Sequence, residues 1–305
     1  MDLDYFKKVR ILDGGLGQEL LSRGLISKGT LWSTSAIVDK KYHQLLIDVH
    51  ISFIESGADV IVTNNFSSRK IRLIQNKVDH KFEYINKKAC ELANKAREIS
   101  KKNILVAGSL PPQNGTYVPD SRDITQIKKD FYDQAKVIKP YVDFFYLDVI
   151  SSAKEVEAAC EITEKINMPV LVGLHLKKNG KLASGESATE IVKKYKTNNW
   201  IGLIGACISL EIINYTCEEM KNLNIPFGFK ANLWEVDEPT PVNSFNKAKY
   251  NEIGPNPNEV LGNRKEISGK IFCDFAKKIK DRGATILGGC CNINPSHIKA
   301  LSSLK

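Results

Sequence analysis

The chain has 305 residues, 42% of them hydrophobic and 26% charged, so it can bury a large core and is not globally disordered. Its net charge of +9 (44 Lys and Arg against 35 Asp and Glu) comes from basic residues scattered in twos, such as Lys87-Lys88 and Lys193-Lys194, which argues against a nucleic-acid surface. No apolar stretch approaches the ~20 residues needed to span a bilayer, and the opening MDLDYFKKVRILDGG has no apolar core, so the expectation is a cytoplasmic chain with no signal peptide and no membrane partner.

Short apolar runs alternate with helical patterns along the whole length. The first predicted strand, 9–13, ends in Asp13-Gly14-Gly15, and the loop beyond it carries Trp32 in GTLWSTSA. A helix over 42–56 follows, with Leu45, Leu46, Val49, Phe53 and Ile54 on one face and a stop at Gly57. Strand 59–63 runs into Thr63-Asn64-Asn65-Phe66, and helix 81–101 leads to strand 104–108 and the turn Ser109-Leu110-Pro111-Pro112. Helix 123–139 stops before Pro140, and strand 142–148 ends on Asp148. Helix 152–167, strand 170–175 ending on His175, helix 187–196 and strand 200–206 before Cys207 continue the alternation. Helix 210–222 and strand 227–230 come next. Residues 232–264 then form a long aperiodic loop with four prolines, and a loop of that length is usually functional. Helix 266–282, strand 284–287 and helix 295–302 finish the chain; Asn294 is the expected N-cap and Pro295 the first helical residue.

Eight β–α units predict a single-domain (β/α)8 TIM barrel over residues 1–305, with a doubly wound sheet as the alternative. No GxGxxG follows the first strand, which weakens a dinucleotide-binding reading. In such a barrel the site lies at the C-terminal strand ends. Cys207, Cys290 and Cys291 reach that rim from two strands. Three thiolates with an open fourth position are a zinc geometry, and Gly288-Gly289 is expected to turn the backbone so that both following thiols face the metal. Chance packing or a redox pair also fits the spacing. Cys90, Cys160, Cys217 and Cys273 fall on helices and read as small packing residues. Asp13 and Asp148 end strands in the mouth; each needs a partner, either a substrate ammonium or backbone N–H groups.

DGGLGQEL at 13–20, GADVIVTNNF at 57–66, GSLPP at 108–112 and GGCCNINPSHI at 288–298 resemble the homocysteine S-methyltransferase family in order and spacing. The resemblance implies transfer of a methyl group to homocysteine, giving methionine. It implies Zn²⁺ held by Cys207, Cys290 and Cys291, with the homocysteine sulfur in the fourth position and no catalytic side chain beyond the metal site. Asp13 and Asp148 would bind the amino group; Gly14, Thr63, Asn64 and Phe66 would place the amino acid. The chain departs from the family pattern at Ala206 (usually Asn), at Asp148-Val149 (usually Glu-Thr) and at Lys230-Ala231-Asn232-Leu233 (usually Pro-Asn-Ser/Ala-Gly). These departures bear on the shape of the amino-acid pocket.

The donor is expected to be an onium compound. The face of Trp32 can hold a sulfonium or quaternary ammonium by cation–π attraction, or it can anchor the loop on the barrel rim. Phe66, Tyr117 and Trp234 are further aromatic candidates, and His175 reads as structural. Betaine-using relatives place an aromatic residue where this chain has Val149, which favours S-methylmethionine or S-adenosylmethionine over betaine; dimethylsulfoniopropionate is an alternative. A non-catalytic zinc-binding homologue that needs a corrinoid-carrying partner is the reading from another class. Monomer and homo-oligomer both remain open.

Overall fold

The computed structural model describes residues 3–305. Eight parallel strands follow one another around a barrel: β1 Arg10–Ile11, β2 Val60–Val62, β3 Leu105–Leu110, β4 Phe144–Ile150, β5 Val170–Leu174, β6 Trp200–Ile208, β7 Phe227–Ala231 and β8 Ile286–Gly289. Their order in the sheet is β1-β8-β7-β6-β5-β4-β3-β2, every neighbouring pair parallel. A single parallel bridge, Leu12 to Val60, closes β1 onto β2. Two carboxylates reinforce that seam: Asp59 accepts from the Ile11 amide at 2.8 Å and Asp13 from the Val62 amide at 2.7 Å. The expected (β/α)8 barrel is the observed architecture.

The strands are buried on both faces, which is why they read as continuous apolar runs. The inner face is filled by Leu12, Val60, Phe144, Tyr146, Leu171, Ile204 and Ile286, with Phe6 closing the bottom edge-on to Phe144 at 5.8 Å. The outer face packs against amphipathic helices such as Phe82–Ser100, Ile124–Ile138 and Gly269–Asp281. Sequence spacing placed the eight long helices within a few residues. It did not foresee Leu16–Ser22, Ser35–Val38 and Lys70–Gln75, or the short helices Val242–Phe245 and Asn258–Leu261 inside the long loop. Each is seven residues or fewer, too short to show a period. Among the described residues no helix is long and apolar enough to cross a membrane.

One expectation is corrected at the last strand. Gly288 and Gly289 are not a turn; they are the final residues of β8, paired with Lys230 and Ala231. The turn comes after them, with Asn292 at φ +66°. The glycines serve close approach instead. A Cβ on Gly289 would meet the Ile293 side chain at 2.1 Å, and one on Gly288 would meet Leu12 Cβ at 2.7 Å. Gly289→Ala is therefore expected to destabilise the protein by about 1–3 kcal/mol, as overpacking does, readable as a lowered midpoint in urea.

Candidate active site and metal centre

Two register shifts at the barrel top shape the site. β4 is irregular between Leu147 and Ile150, with Val149 at φ +70°; β6 is irregular between Ala206 and Ile208, with Cys207 at φ +54°. On a regular strand successive side chains alternate faces. Here Ala206 and Cys207 both belong to the inner cluster, which only a bulge allows. A β-branched residue at positive φ is costly, so Val149 marks a place where the surrounding structure overrides local preference. Gly173 leaves room for its neighbour on β6: a Cβ there would lie 2.9 Å from the Ala206 Cβ.

The bulge at Cys207 brings its thiol to the turn after β8. Cys207 and Cys291 Sγ are 3.7 Å apart, Cys290 and Cys291 Sγ 3.8 Å, and all three lie within 4.8 Å of one another. A tetrahedral site with metal–sulfur bonds of ~2.3 Å has sulfur–sulfur edges of ~3.8 Å. The triangle therefore fits a tetrahedral metal ion, and all three cysteines line one cavity. All seven cysteines are free thiols. Burial alone would push the Cys207 thiol up; hydrogen bonding with Cys290, Cys291 and Tyr117 outweighs it and holds Cys207 well below the usual thiol range. Cys290 and Cys291 are pushed up, first by their interaction with Cys207. The four helical cysteines stand apart from this cluster; Cys90, Cys160 and Cys217 are buried and Cys273 is half-buried.

Second-layer contacts hold Cys207 in place. The Tyr117 hydroxyl is 3.3 Å from its Sγ, and the Tyr117 ring rests on His175 at 4.5 Å. His175 Nδ1 is 3.2 Å from the Ala206 carbonyl, and burial lowers its pKa, so it serves as a neutral prop. Asn232 Nδ2 donates to the Cys207 carbonyl at 2.6 Å. Asn232 is what remains of the altered strand-seven element, and its role could not be read from spacing. Gln18 lies near Cys291, and its Nε2 is buried without a hydrogen-bond partner.

The three cysteines, Tyr117 and Gln18 line one cavity that opens to solvent. Asp13, Gly14, Trp32, Thr63, Asn64, Phe66 and Asp148 all line it with the three cysteines. Their roles differ from a plain list of contacts. The Thr63 hydroxyl is engaged by Asn65 and the Ser109 amide, and Asn64 Nδ2 donates to the Ser33 carbonyl, so both side chains brace the wall. Gly14 must be glycine, because a Cβ there would lie 2.2 Å from the Ile293 carbonyl oxygen. Trp32 packs its indole on Gly17 and faces the cavity as well, so the two readings of this residue are compatible.

Asp13 and Asp148 have different partners in the structure. The principal partner of Asp13 is Lys230, with both side chains buried. Burial pushes the Asp13 carboxyl up and Lys230 pulls it back. Burial also works against the Lys230 charge, but Asp13 outweighs it and raises that ammonium. A lysine ending the apolar strand FGFKA was the available signal, since a charge buried on a central parallel strand needs a partner. Asp148 lacks a cationic contact: its Oδ2 accepts from Ser109 Oγ at 2.9 Å, and burial pushes it up to about 7.

The long loop covers the mouth. Trp234, Val242, Phe245, Asn246, Pro257 and Leu261 from it all line the cavity. It is tied down by the Leu233 amide to the Cys291 carbonyl (3.1 Å) and by an antiparallel bridge from Ile253 to Lys28 on the Trp32 loop.

A family model described as homocysteine S-methyltransferase matches residues 10–304. The chain belongs to the homocysteine S-methyltransferase family. As a member of this enzyme family it is 26% identical to homocysteine S-methyltransferase 1 of Zea mays, over 96% of this chain and 93% of that protein. It is equally 26% identical to the S-methylmethionine–homocysteine S-methyltransferase of Rattus norvegicus, over 97% of this chain and 78% of that one. Among solved structures, the metallated form of the homocysteine methyltransferase MmuM from Escherichia coli shares the fold with a TM-score of 0.78 at 19% identity, covering 98% of this chain and 96% of that one.

Proposed function

We propose that this homocysteine S-methyltransferase family member moves a methyl group from a sulfonium donor to the thiol of homocysteine, with Zn²⁺ held by Cys207, Cys290 and Cys291. The observation that carries the reading is the thiol triangle on the floor of a lidded cavity that also presents Asp148 and Lys230. Zinc in that triangle would keep the acceptor sulfur as thiolate at neutral pH. Asp148 takes the acceptor's ammonium, and the Lys230 end of the Lys230–Asp13 pair faces its carboxylate. Lid residues Trp234 and Phe245 and the indole of Trp32 exclude water and offer aromatic faces to a cation. As the acceptor S–C bond forms, the donor S–CH₃ bond breaks and its electron pair stays on the departing sulfur. A cationic sulfonium and a thiolate become two neutral thioethers, so no general acid is needed.

S-methylmethionine and S-adenosylmethionine are the favoured donors. The first accords with the name of the rat relative, and Val149 stands where betaine-using relatives place an aromatic residue. Purification under reducing conditions without chelator should give about one zinc per chain, and homocysteine should yield methionine with S-methylmethionine or S-adenosylmethionine. Bound zinc with no methionine formed from any sulfonium or betaine donor would end this reading.

Asp148 gives the reaction a pH signature. Its carboxyl ionises only as pH rises through about 7. A partner for the acceptor's ammonium is thus scarce at pH 6 and nearly complete at pH 8, about a tenfold change in the ionised fraction. KM for homocysteine is expected to fall by about that factor over the interval, and Asp148→Asn should flatten the profile.

A further inference from the structure

Two guanidinium groups in the cavity wall have no carboxylate partner. Arg69 is 1% exposed and Arg72 3% exposed, and both line the cavity that holds the thiols. Arg69 donates from Nη1 to the Pro112 carbonyl and from Nη2 to Thr116 Oγ1 at 2.9 Å; its buried Nε has no partner. Arg72 donates to Gln75 Oε1 at 3.1 Å and to Asn243 Oδ1. All of these acceptors are neutral. Among the described residues no carboxylate oxygen lies within 4.0 Å of either guanidinium, whereas nearby Arg122 is paired with both Asp120 and Asp130. Of the two acids acting on Arg69 from farther off, Glu155 is pushed up to about 8 by burial and is mostly protonated at neutral pH, and Asp120 is already paired with Arg122.

Burying a charge without a counter-charge is costly. Two such charges side by side are accounted for when a ligand supplies the missing anion, and guanidinium is the side chain best matched to a carboxylate. The position of the pair selects which carboxylate. Arg69 bonds Thr116, and the next residue, Tyr117, reaches Cys207 with its hydroxyl, so Arg69 is joined to the thiols through two adjacent residues of one loop. On the floor, Asp148 and Lys230 already answer both charges of an amino-acid acceptor. Arg72 instead bonds Asn243 of the lid helix Val242–Phe245, which covers the mouth of the cavity.

We propose that Arg69 and Arg72 form an anion subsite for the carboxylate of the methyl donor. The inference rests on the methyl-transfer reading above, and it restricts the donor to oniums that carry a carboxylate a few bonds from the sulfur.

The test pairs donors with variants. Wild-type enzyme is assayed with S-methylmethionine and with its carboxamide, each against homocysteine and against 3-aminopropanethiol, which lacks the acceptor's carboxylate. The same four assays are run on Arg72→Gln, Arg72→Lys and Arg69→Gln, with circular dichroism and thermal melts to confirm folding. Wild type should lose roughly 10- to 100-fold in kcat/KM on the carboxamide, the range of a charge-assisted pair. In Arg72→Gln, which gives up no buried backbone contact, acid and amide should come within about threefold of each other, and Arg72→Lys should restore part of the preference. Equal use of acid and amide by wild type overturns the subsite and leaves methyl transfer standing. A donor preference untouched in Arg72→Gln and in folded Arg69→Gln also overturns it. So does a loss in the variants that tracks the acceptor's carboxylate. If no donor is turned over, the methyl-transfer reading fails first; calorimetric titration of S-methylmethionine and its carboxamide then decides the subsite, and equal binding of the two rejects it.

Discussion

Replacing Cys290 with serine is expected to reduce bound metal from about one equivalent to near none and to remove methyl transfer, while leaving the barrel folded. The sulfur edges of 3.7 and 3.8 Å suit three thiolates on one tetrahedral ion. A serine hydroxyl is not deprotonated at neutral pH and is a poor ligand for a thiophilic metal. The turn that carries Cys290 is held by its amide to the Ala231 carbonyl at 2.6 Å and by the Ile293 amide to the Cys290 carbonyl at 3.1 Å, and neither bond involves the thiol. Metal analysis alongside far-ultraviolet circular dichroism checks the outcome. A Cys290→Ser protein that retains one equivalent of metal and full turnover would falsify the assignment of Cys290 as a ligand. Cys273→Ser is the matched control, because that half-buried thiol sits on an outer helix, apart from the cluster, with Ser303 Oγ as its polar neighbour.

Lys230→Met is expected to cost more in stability than any single substitution on the lid. It leaves the Asp13 carboxylate buried without its ammonium, and breaking a buried pair from one side costs about 3–5 kcal/mol. For a chain of this size that is a fall in melting temperature of roughly 10 °C. The deficit should depend on pH. Without Lys230 the folded-state pKa of Asp13 rises further above its unfolded value, so the folded protein binds more protons than the unfolded one and stability falls as pH rises. The variant is therefore expected to recover toward wild type in acid and to be weakest at pH 8. Asp13→Asn added to Lys230→Met should return more than half of the loss, because both charges are then gone. A double variant no more stable than Lys230→Met would mean that the pair is not the cause.

The barrel was legible because parallel strands buried on both faces leave continuous apolar runs, and because helices such as Phe82–Ser100 are long enough to display a period. The three thiols were legible as a group because strand ends in such a barrel converge on one rim. The register of that rim was not. Cys207 enters the interior through a bulge at positive φ, and nothing local in GACIS announces it. The Gly288-Gly289 pair looked like a turn, but its small side chains are set by Leu12 and Ile293, contacts about 275 residues apart and four residues apart respectively. Lys230, Asn232 and Arg69 were passed over for a shared reason: each acts through a partner distant in sequence, Asp13, Cys207 and Pro112. Local pattern can flag a buried charge, as Lys230 in FGFKA does, but it does not name the partner.

The closure between β1 and β2 has a thermodynamic consequence. Along that seam one backbone bridge is supplemented by two side chains, Asp59 on the Ile11 amide and Asp13 on the Val62 amide, where the other strand pairs are joined at two to five positions. A barrel opens first where its ladder is thinnest, and local openings of this kind lie well below the global unfolding free energy. Asp13 belongs at once to the seam and to the cavity. Whatever occupies the Asp13–Lys230 corner therefore also fastens the barrel, and saturating acceptor should slow amide exchange at Ile11 and Val62 before it slows exchange anywhere else in the sheet.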